Sequence, residues 1–199
     1  MPPALIVYID YKSPYAYLAL NPTRALAAEF GLALDWRPYS LKIEEYLGDV
    51  DMRNPHQWRR VKYSYMDARR LANAQGLIVR GPKKLFDSAI AHTGMLFAKD
   101  AGVDILERYH DIVFEGFFKR ELDIEVPSQV QAALRQAGAP ADDFPDFLAG
   151  AGVARLDRAL KDAEDRLGVF GVPTYVVDAE IFWGGDRLDQ VRRRLEEIR

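Results

Sequence analysis

The chain has 199 residues, of which 49% are hydrophobic and 29% charged, with a net charge of −3. That composition supports a genuine core in one domain with an insertion, or in two small domains, and excludes a disordered or fibrous chain. It contains no cysteine, which removes disulfides, thiolate metal sites and every mechanism built on a protein thiol.

Ala4–Tyr11 (ALIVYIDY) has β-branched and aromatic residues and little charge, the pattern of a buried strand. It overlaps the apolar run Pro2–Ile9, far shorter than the ~20 residues that span a bilayer. No basic segment precedes this run and no small-residue cleavage site follows it, so a cytoplasmic protein without a membrane segment is expected. Ser13-Pro14 opens a helical stretch ending at Gly31, in which Pro22 should produce a kink or a restart. Leu32–Tyr39 reads as a second strand.

From about Ser40 to Gly152 the texture is helical. Trp58–Ala74, Asp87–Ala101, Ile105–Phe118, Gln129–Ala137 and Asp143–Ala149 carry apolar residues near helical spacing. The aromatic-rich stretch Tyr109–Phe118 reads as core rather than as an interface. Val153–Leu167 is an amphipathic helix closed by Gly168. Pro173–Val177 and Glu180–Trp183, joined at Asp178-Ala179, form a hairpin, and Gly184-Gly185-Asp186 begin a last helix through Ile198. The order is βαβ, a helical block, then αββα, which predicts a four-stranded mixed sheet flanked by helices.

The three histidines, His56, His92 and His110, lack metal-site spacing, so no metal is expected. The basic positions Arg59, Arg60, Lys62, Arg69, Arg70 and Arg192–Arg194 are interrupted or followed by acids. They read as solvated helix faces, and no nucleic-acid partner is expected.

Three segments have a chemical reading beside a purely structural one. Ser13-Pro14-Tyr15-Ala16 is a helix cap, Ser at the N-cap and Pro at the first turn. The same helix start, just beyond a central strand, also offers N–H groups and a positive dipole end to an anion such as a thiolate. Val172-Pro173-Thr174 starts a strand; with a cis bond at Pro173, the Val172 backbone would be open to pair with an extended ligand. Trp183-Gly184-Gly185-Asp186 is a turn and cap, or a site where bare N–H groups take a carboxylate and Asp186 an ammonium. A ligand with a thiol, an extended amide and an amino-acid head is glutathione. In the thioredoxin-like arrangement that this element order suggests, S-P-Y-A stands where a redox C-x-x-C pair would lie. The expected fold is therefore α/β, thioredoxin-like, from residues 1–39 and 153–199, with a large α-helical insertion at 40–152.

The stretches YIDYKSPYAYLA, LGDVDMRNP, KYSYMDARRLANAQG and VFGVPTYVVDAEIFWGGDRLDQV resemble the 2-hydroxychromene-2-carboxylate isomerases, relatives of DsbA and of kappa-class glutathione transferases. The resemblance runs over nearly the whole chain and implies a glutathione-dependent isomerase of aromatic-compound catabolism. It implies Ser13 at the glutathione sulfur, Val172 and Pro173 along the tripeptide, and Trp183, Gly184, Gly185 and Asp186 at its γ-glutamyl end. For the second substrate, a small aromatic carboxylate, it implies Asn54 and, across a one-residue gap, Lys42. Where relatives carry a pocket tyrosine this chain offers Leu85 or Phe86. A homodimer is a further expectation from the relatives. A kappa-like transferase shares every one of these motifs, and a thioredoxin-like binding scaffold without redox activity shares the fold.

Overall fold

The computed structural model describes residues 4–48 and 50–198. Pro2 and Pro3 of the opening apolar run and Asp49 of the LGDVDMRNP stretch lie outside the described residues. Strand β1 (Ala4–Ile9) pairs in parallel with β2 (Ala33–Pro38) and antiparallel with β3 (Thr174–Val177), which pairs antiparallel with β4 (Glu180–Trp183). The order β2-β1-β3-β4 gives a mixed sheet with β1 and β3 at its centre. This accounts for the nearly uncharged β1 and the wholly buried β3, since central strands are covered on both faces.

Helix α1 (Pro14–Phe30) connects β1 to β2 and runs through Pro22 as one element. The helix does not restart there. Proline removes the bond to the carbonyl four residues earlier, here Leu18. Gln75, the C-cap of α3 (Pro55–Ala74), donates its side-chain amide to the Leu18 carbonyl at 3.3 Å, so that oxygen keeps a partner. The far end of α1 closes on Gly31, whose φ of 64° lies in the left-handed region that glycine enters most easily.

Between β2 and β3 the chain forms α2 (Ile43–Leu47), α3, α4 (Ala89–Ala101), α5 (Val103–Lys119), α6 (Pro127–Ala137), α7 (Phe144–Ala149) and α8 (Ala151–Leu167). After β4, a short 3₁₀ turn at Gly185–Arg187 precedes α9 (Leu188–Glu197), so the last helix begins slightly later than the sequence suggests. Helix α3 begins three residues before Trp58, because Asn54 caps it in a reciprocal box with Gln57 and Pro55 takes its first turn. Tyr109, Val113, Phe114, Phe117 and Phe118 of α5 are buried, so that stretch is core.

Helix α5 fixes α1 in place. Tyr17 stacks on both Phe114 and Phe118 with centroids 5.4 Å apart, worth about 0.5–1.5 kcal/mol per pair beyond area burial. Farther along, Arg24 donates to Glu107 and Asp111, at 2.7 Å each, and Trp36 of β2 donates to Glu107 at 2.6 Å. The first helix of the sheet unit is thereby clamped to the helical block. Among the described residues, no helix is long and apolar enough to cross a membrane.

The β3–β4 turn holds Asp178 and Ala179 at φ of 50° and 65°, the two-residue geometry whose twist suits a hairpin. Arg194 braces it with a hydrogen bond to Asp178 and an ion pair with Glu180. Alanine is disfavoured at positive φ. Ala179→Gly is therefore expected to raise stability by about 0.5–1 kcal/mol in urea unfolding, whereas Ala179→Val should lower it.

Candidate functional site

Strand β1 ends beneath the start of α1, and the connection is tightly held. Ser13 is the N-cap: its Oγ accepts from the Ala16 N–H at 3.2 Å, and its own N–H donates to the Asp10 carbonyl at 2.9 Å. Because the oxygen is taken as an acceptor from inside the helix, its proton remains available to a group outside it. Ser13 is 3% exposed and lies between Lys12 and Tyr15, which line different cavities.

The larger cavity, about 600 Å³, lies between α1, the end of α3 and the β3–β4 unit. Val172, Pro173, Trp183, Gly184, Gly185 and Asp186 all line it, facing Tyr15, Leu18 and Ala19 of α1. The Val172–Pro173 bond is cis. Val172 stands just outside the β3 ladder, whose pairs begin at Thr174. The segments meet around Gly185, where a Cβ would find ordinary van der Waals contact, 3.7 Å from the Ala19 Cβ and 3.9 Å from both Pro173 Cγ and the Tyr15 carbonyl oxygen. Gly184 has φ of 115° and donates its N–H to the Pro173 carbonyl at 2.9 Å, tying the turn to the strand start. The Asp186 carboxylate, largely exposed, is paired with Arg187 at 2.6 Å.

Tyr15, also on this wall, donates to Asp67 at 2.9 Å and to the Ser64 carbonyl at 3.3 Å. Burial and the adjacent Asp67 carboxylate push its pKa well above the usual phenol value, so it stays a neutral donor.

The second cavity, about 230 Å³, lies among α2, α3 and the loop at 81–86; Ser13 lines neither cavity. Trp58, Tyr65, Phe86 and Phe117 supply aromatic walls, with Phe86 edge-on to Phe117 at 5.1 Å. Lys12, Arg53, Lys83 and Lys84 also line it, and among the described residues no carboxylate does.

The residues expected at the second substrate are placed unequally. Phe86 and Leu85 line this smaller cavity. Lys42 pairs with Glu164 at 2.8 Å and reaches a neighbouring depression shared with Lys12 and Phe86. The Asn54 Oδ1 accepts from the N–H groups of His56 and Gln57 at 2.9 and 3.0 Å, and the residue lines neither cavity. Sequence reasoning misses Lys12, Tyr15, Arg53 and Gln75. The available signal was position: Lys12 and Arg53 each stand immediately before a helix cap, Ser13 and Asn54.

Beneath the helix start lies a buried polar group. The Asp10 carboxylate accepts from the backbone N–H groups of Lys12 (3.1 Å) and Leu41 (2.7 Å) and from the Ser88 hydroxyl, and the Lys12 ammonium is 3.5 Å away. His92 Nε2 approaches it to 3.6 Å, and His92 Nδ1 meets Ser40 Oγ at 3.2 Å. Burial pushes the His92 pKa down to about 4, outweighing the opposite pull of the Asp10 carboxylate. His110, bonded to the Tyr11 hydroxyl at 2.9 Å, is depressed for the same main reason. No cluster of three or more potential metal ligands occurs among the described residues.

A DSBA-like thioredoxin domain model matches residues 4–196. The 2-hydroxychromene-2-carboxylate isomerase of Sphingobium xenophagum is 27% identical over 184 residues, covering 92% of each chain. The protein of the same name from Pseudomonas putida is also 27% identical over 184 residues, 91% of this chain and 88% of the relative. Among solved structures, a 2-hydroxychromene-2-carboxylate isomerase superposes with a TM-score of 0.79 at 24% identity, over 98% of this chain and 95% of that one. The cytosolic disulfide reductase DsbM from Pseudomonas aeruginosa, solved with GSH, superposes with a TM-score of 0.62 at 20% identity, over 98% of both chains. These structural likenesses establish the thioredoxin-like fold with its helical insertion.

The buried histidines make stability dependent on acid. Both have folded-state pKa values below the unfolded value, so the unfolded chain binds more protons and stability falls with pH through the window below 6.5. For His92 that window runs from 6.5 to about 4. His92→Gln is expected to lower the slope of unfolding free energy against pH there by at most about 1.4 kcal/mol per unit, with His110 maintaining the remainder. Denaturant titrations across that range would reveal the difference; parallel curves would contradict it.

Proposed function

The chain belongs to the DSBA-like thioredoxin family, and from that premise we propose that it is a glutathione-dependent isomerase of the 2-hydroxychromene-2-carboxylate type. Disulfide exchange is closed to a chain without cysteine. One observation carries the reading. The start of α1, the cis Val172–Pro173 segment and the Trp183–Asp186 turn, remote in sequence, meet around one cavity of about 600 Å³. That volume suits a small peptide-like ligand, and the surrounding groups match the parts of glutathione. The names of the curated relatives and the GSH in the DsbM structure point the same way.

In this reading bound glutathione supplies a thiolate that adds reversibly to a conjugated enone, making a double bond briefly rotatable, and leaves unchanged. The protein's part is to hold and orient. The Ser13 hydroxyl, fixed by accepting from Ala16, donates to the sulfur, and the first turn of α1 adds its dipole. The Val172 backbone takes the peptide edge as an added strand. The Gly185 N–H receives the ligand's α-carboxylate, the Gly184 N–H being spent on the Pro173 carbonyl, and Asp186 takes its ammonium. Ser13 needs no base in this role, since it gives a hydrogen bond and attacks nothing.

Calorimetric titration should show saturable one-site binding of reduced glutathione, with thiolate absorbance near neutral pH that is lost in Ser13→Ala. With an aromatic enone carboxylate, turnover should leave total glutathione constant. Ser13→Ala should then lower kcat roughly 100-fold, the scale for losing one donor to a developing or stabilised anion. Asp186→Asn should raise the KM for glutathione about tenfold with little change in kcat. Glutathione consumed in step with product would mean a kappa-like transferase; no binding at millimolar glutathione would leave a binding scaffold.

A further inference from the structure

The outer face of α3 carries a charge pattern that the rest of the molecule does not answer. Of the 20 residues in this helix only Ala68 and Ala72 are buried. Arg59, Lys62, Tyr63, Met66, Arg69 and Arg70 are all exposed and recur at spacings of three and four, which sets them along one stripe turned away from those alanines. Arg60 is exposed beside them. Among the described residues none of these five cationic side chains has an ion pair or a hydrogen bond. The one acid of the helix, Asp67, is engaged by Tyr15. Arginines on other helices are matched: Arg135 with Asp142, Arg155 with Asp100, Arg166 with Asp162. Like charges at helical spacing repel one another, so an anionic surface laid against the stripe relieves a standing repulsion.

The stripe is not purely cationic. Tyr63 is 57% exposed and Met66 39%, and Met52, in the turn before the helix, is 81% exposed. Apolar side chains set among long cations suit a helix lying in the headgroup layer of a bilayer. There rings settle at the interface while lysine and arginine keep their heads in water. At 1.5 Å per residue α3 is about 30 Å long, so the whole stripe can lie along one plane. Adsorption of this kind needs no membrane-spanning helix. A two-fold contact with a second copy through the stripe would oppose cation to cation. A nucleic-acid strand would use the charges and leave the methionines idle.

We propose that the outer face of α3 is a docking surface for an anionic lipid bilayer, held by Arg59, Lys62, Arg69 and Arg70, with Tyr63 and Met66 entering the headgroup layer. The proposal is independent of the isomerase reading. The flanks of the same helix line both cavities, Asp67 and Leu71 the larger, Trp58 and Tyr65 the smaller. Docking therefore brings the α3 wall of each cavity to the membrane plane.

The test is flotation of the full-length protein with two kinds of vesicle: phosphatidylcholine alone, and equal parts phosphatidylcholine and phosphatidylglycerol. Binding to the mixed vesicles should exceed binding to the neutral ones at least roughly tenfold and decline with added salt. Arg59→Glu combined with Arg70→Glu should weaken it at least roughly tenfold. Arg158→Glu combined with Lys161→Glu makes the same change in net charge at exposed, unpaired positions of α8 and should leave binding close to wild type. Tyr63→Ser combined with Met66→Ser should weaken vesicle binding roughly tenfold while its salt dependence persists. A single-stranded oligonucleotide, titrated in parallel, separates a lipid surface from a general polyanion site. No binding to the mixed vesicles, equal binding to the neutral ones, or an equal loss in the α8 control would each overturn the proposal. So would a Tyr63 and Met66 variant that binds as the wild type does, or oligonucleotide binding in place of vesicle binding. Should the charge-reversed α3 variant not fold, the preference of the wild type between the two vesicles and its salt dependence decide the matter.

Discussion

A carboxylate sealed from solvent, Asp10, organises the region on which everything else rests. It closes β1, and its two oxygens gather donors from three places: the Lys12 backbone, the Leu41 backbone after β2, and the Ser88 hydroxyl at the N-cap of α4. Its own carbonyl takes the Ser13 N–H. Stripping water from a charge is expensive unless several donors replace it. The arrangement therefore tolerates little movement, and the strand end, the cap of α1 and the mouth of the helical block are located relative to one another by one side chain. Removing either Asp10 or its donors would leave the other unmatched in a dry environment, the costlier half of the hydrogen-bond asymmetry.

Two cavities then acquire distinct characters from the elements that surround them. The larger one is a seam between α1 and the second half of the sheet, with backbone, glycine and a carboxylate on its walls. The smaller one is bounded by helices of the insertion and is aromatic and cationic. Lys12 and Tyr15 are three positions apart, yet Lys12 belongs to one cavity and Tyr15 to the other, while the buried Ser13 between them in sequence lines neither. A reaction between two ligands is best served by such a division, in which each is oriented by its own walls and the reacting atoms meet at the boundary.

Much of this was legible from residues alone, for physical reasons that differ between elements. The apolar, β-branched β1 and the VPTYVV segment announce central strands because burial on both faces admits little else. Gly31 and Gly168 mark helix ends through the left-handed conformation that they adopt. The cavity residues Val172, Pro173 and Trp183–Asp186 were readable because a cis proline and a glycine pair have few structural uses. What escaped was decided at long range. Nothing near Pro22 says that a glutamine more than fifty positions later will satisfy the Leu18 carbonyl and let the helix run on without a restart. Arg53 looks like any surface cation until its neighbours strip it of solvent.

The sheet order has a consequence for synthesis. The pairing of Tyr8 with Thr174 joins segments more than 160 positions apart. Contacts so far apart in sequence are slow to form and, on a ribosome, cannot form until Thr174 has emerged. The β1–α1–β2 unit and the helices after it can consolidate earlier, but the larger cavity exists only after β3 and β4 dock. A prematurely terminated chain would retain Ser13 and the aromatic pocket yet have no opposite wall. That cavity is thus absent from any nascent fragment that stops short of β4.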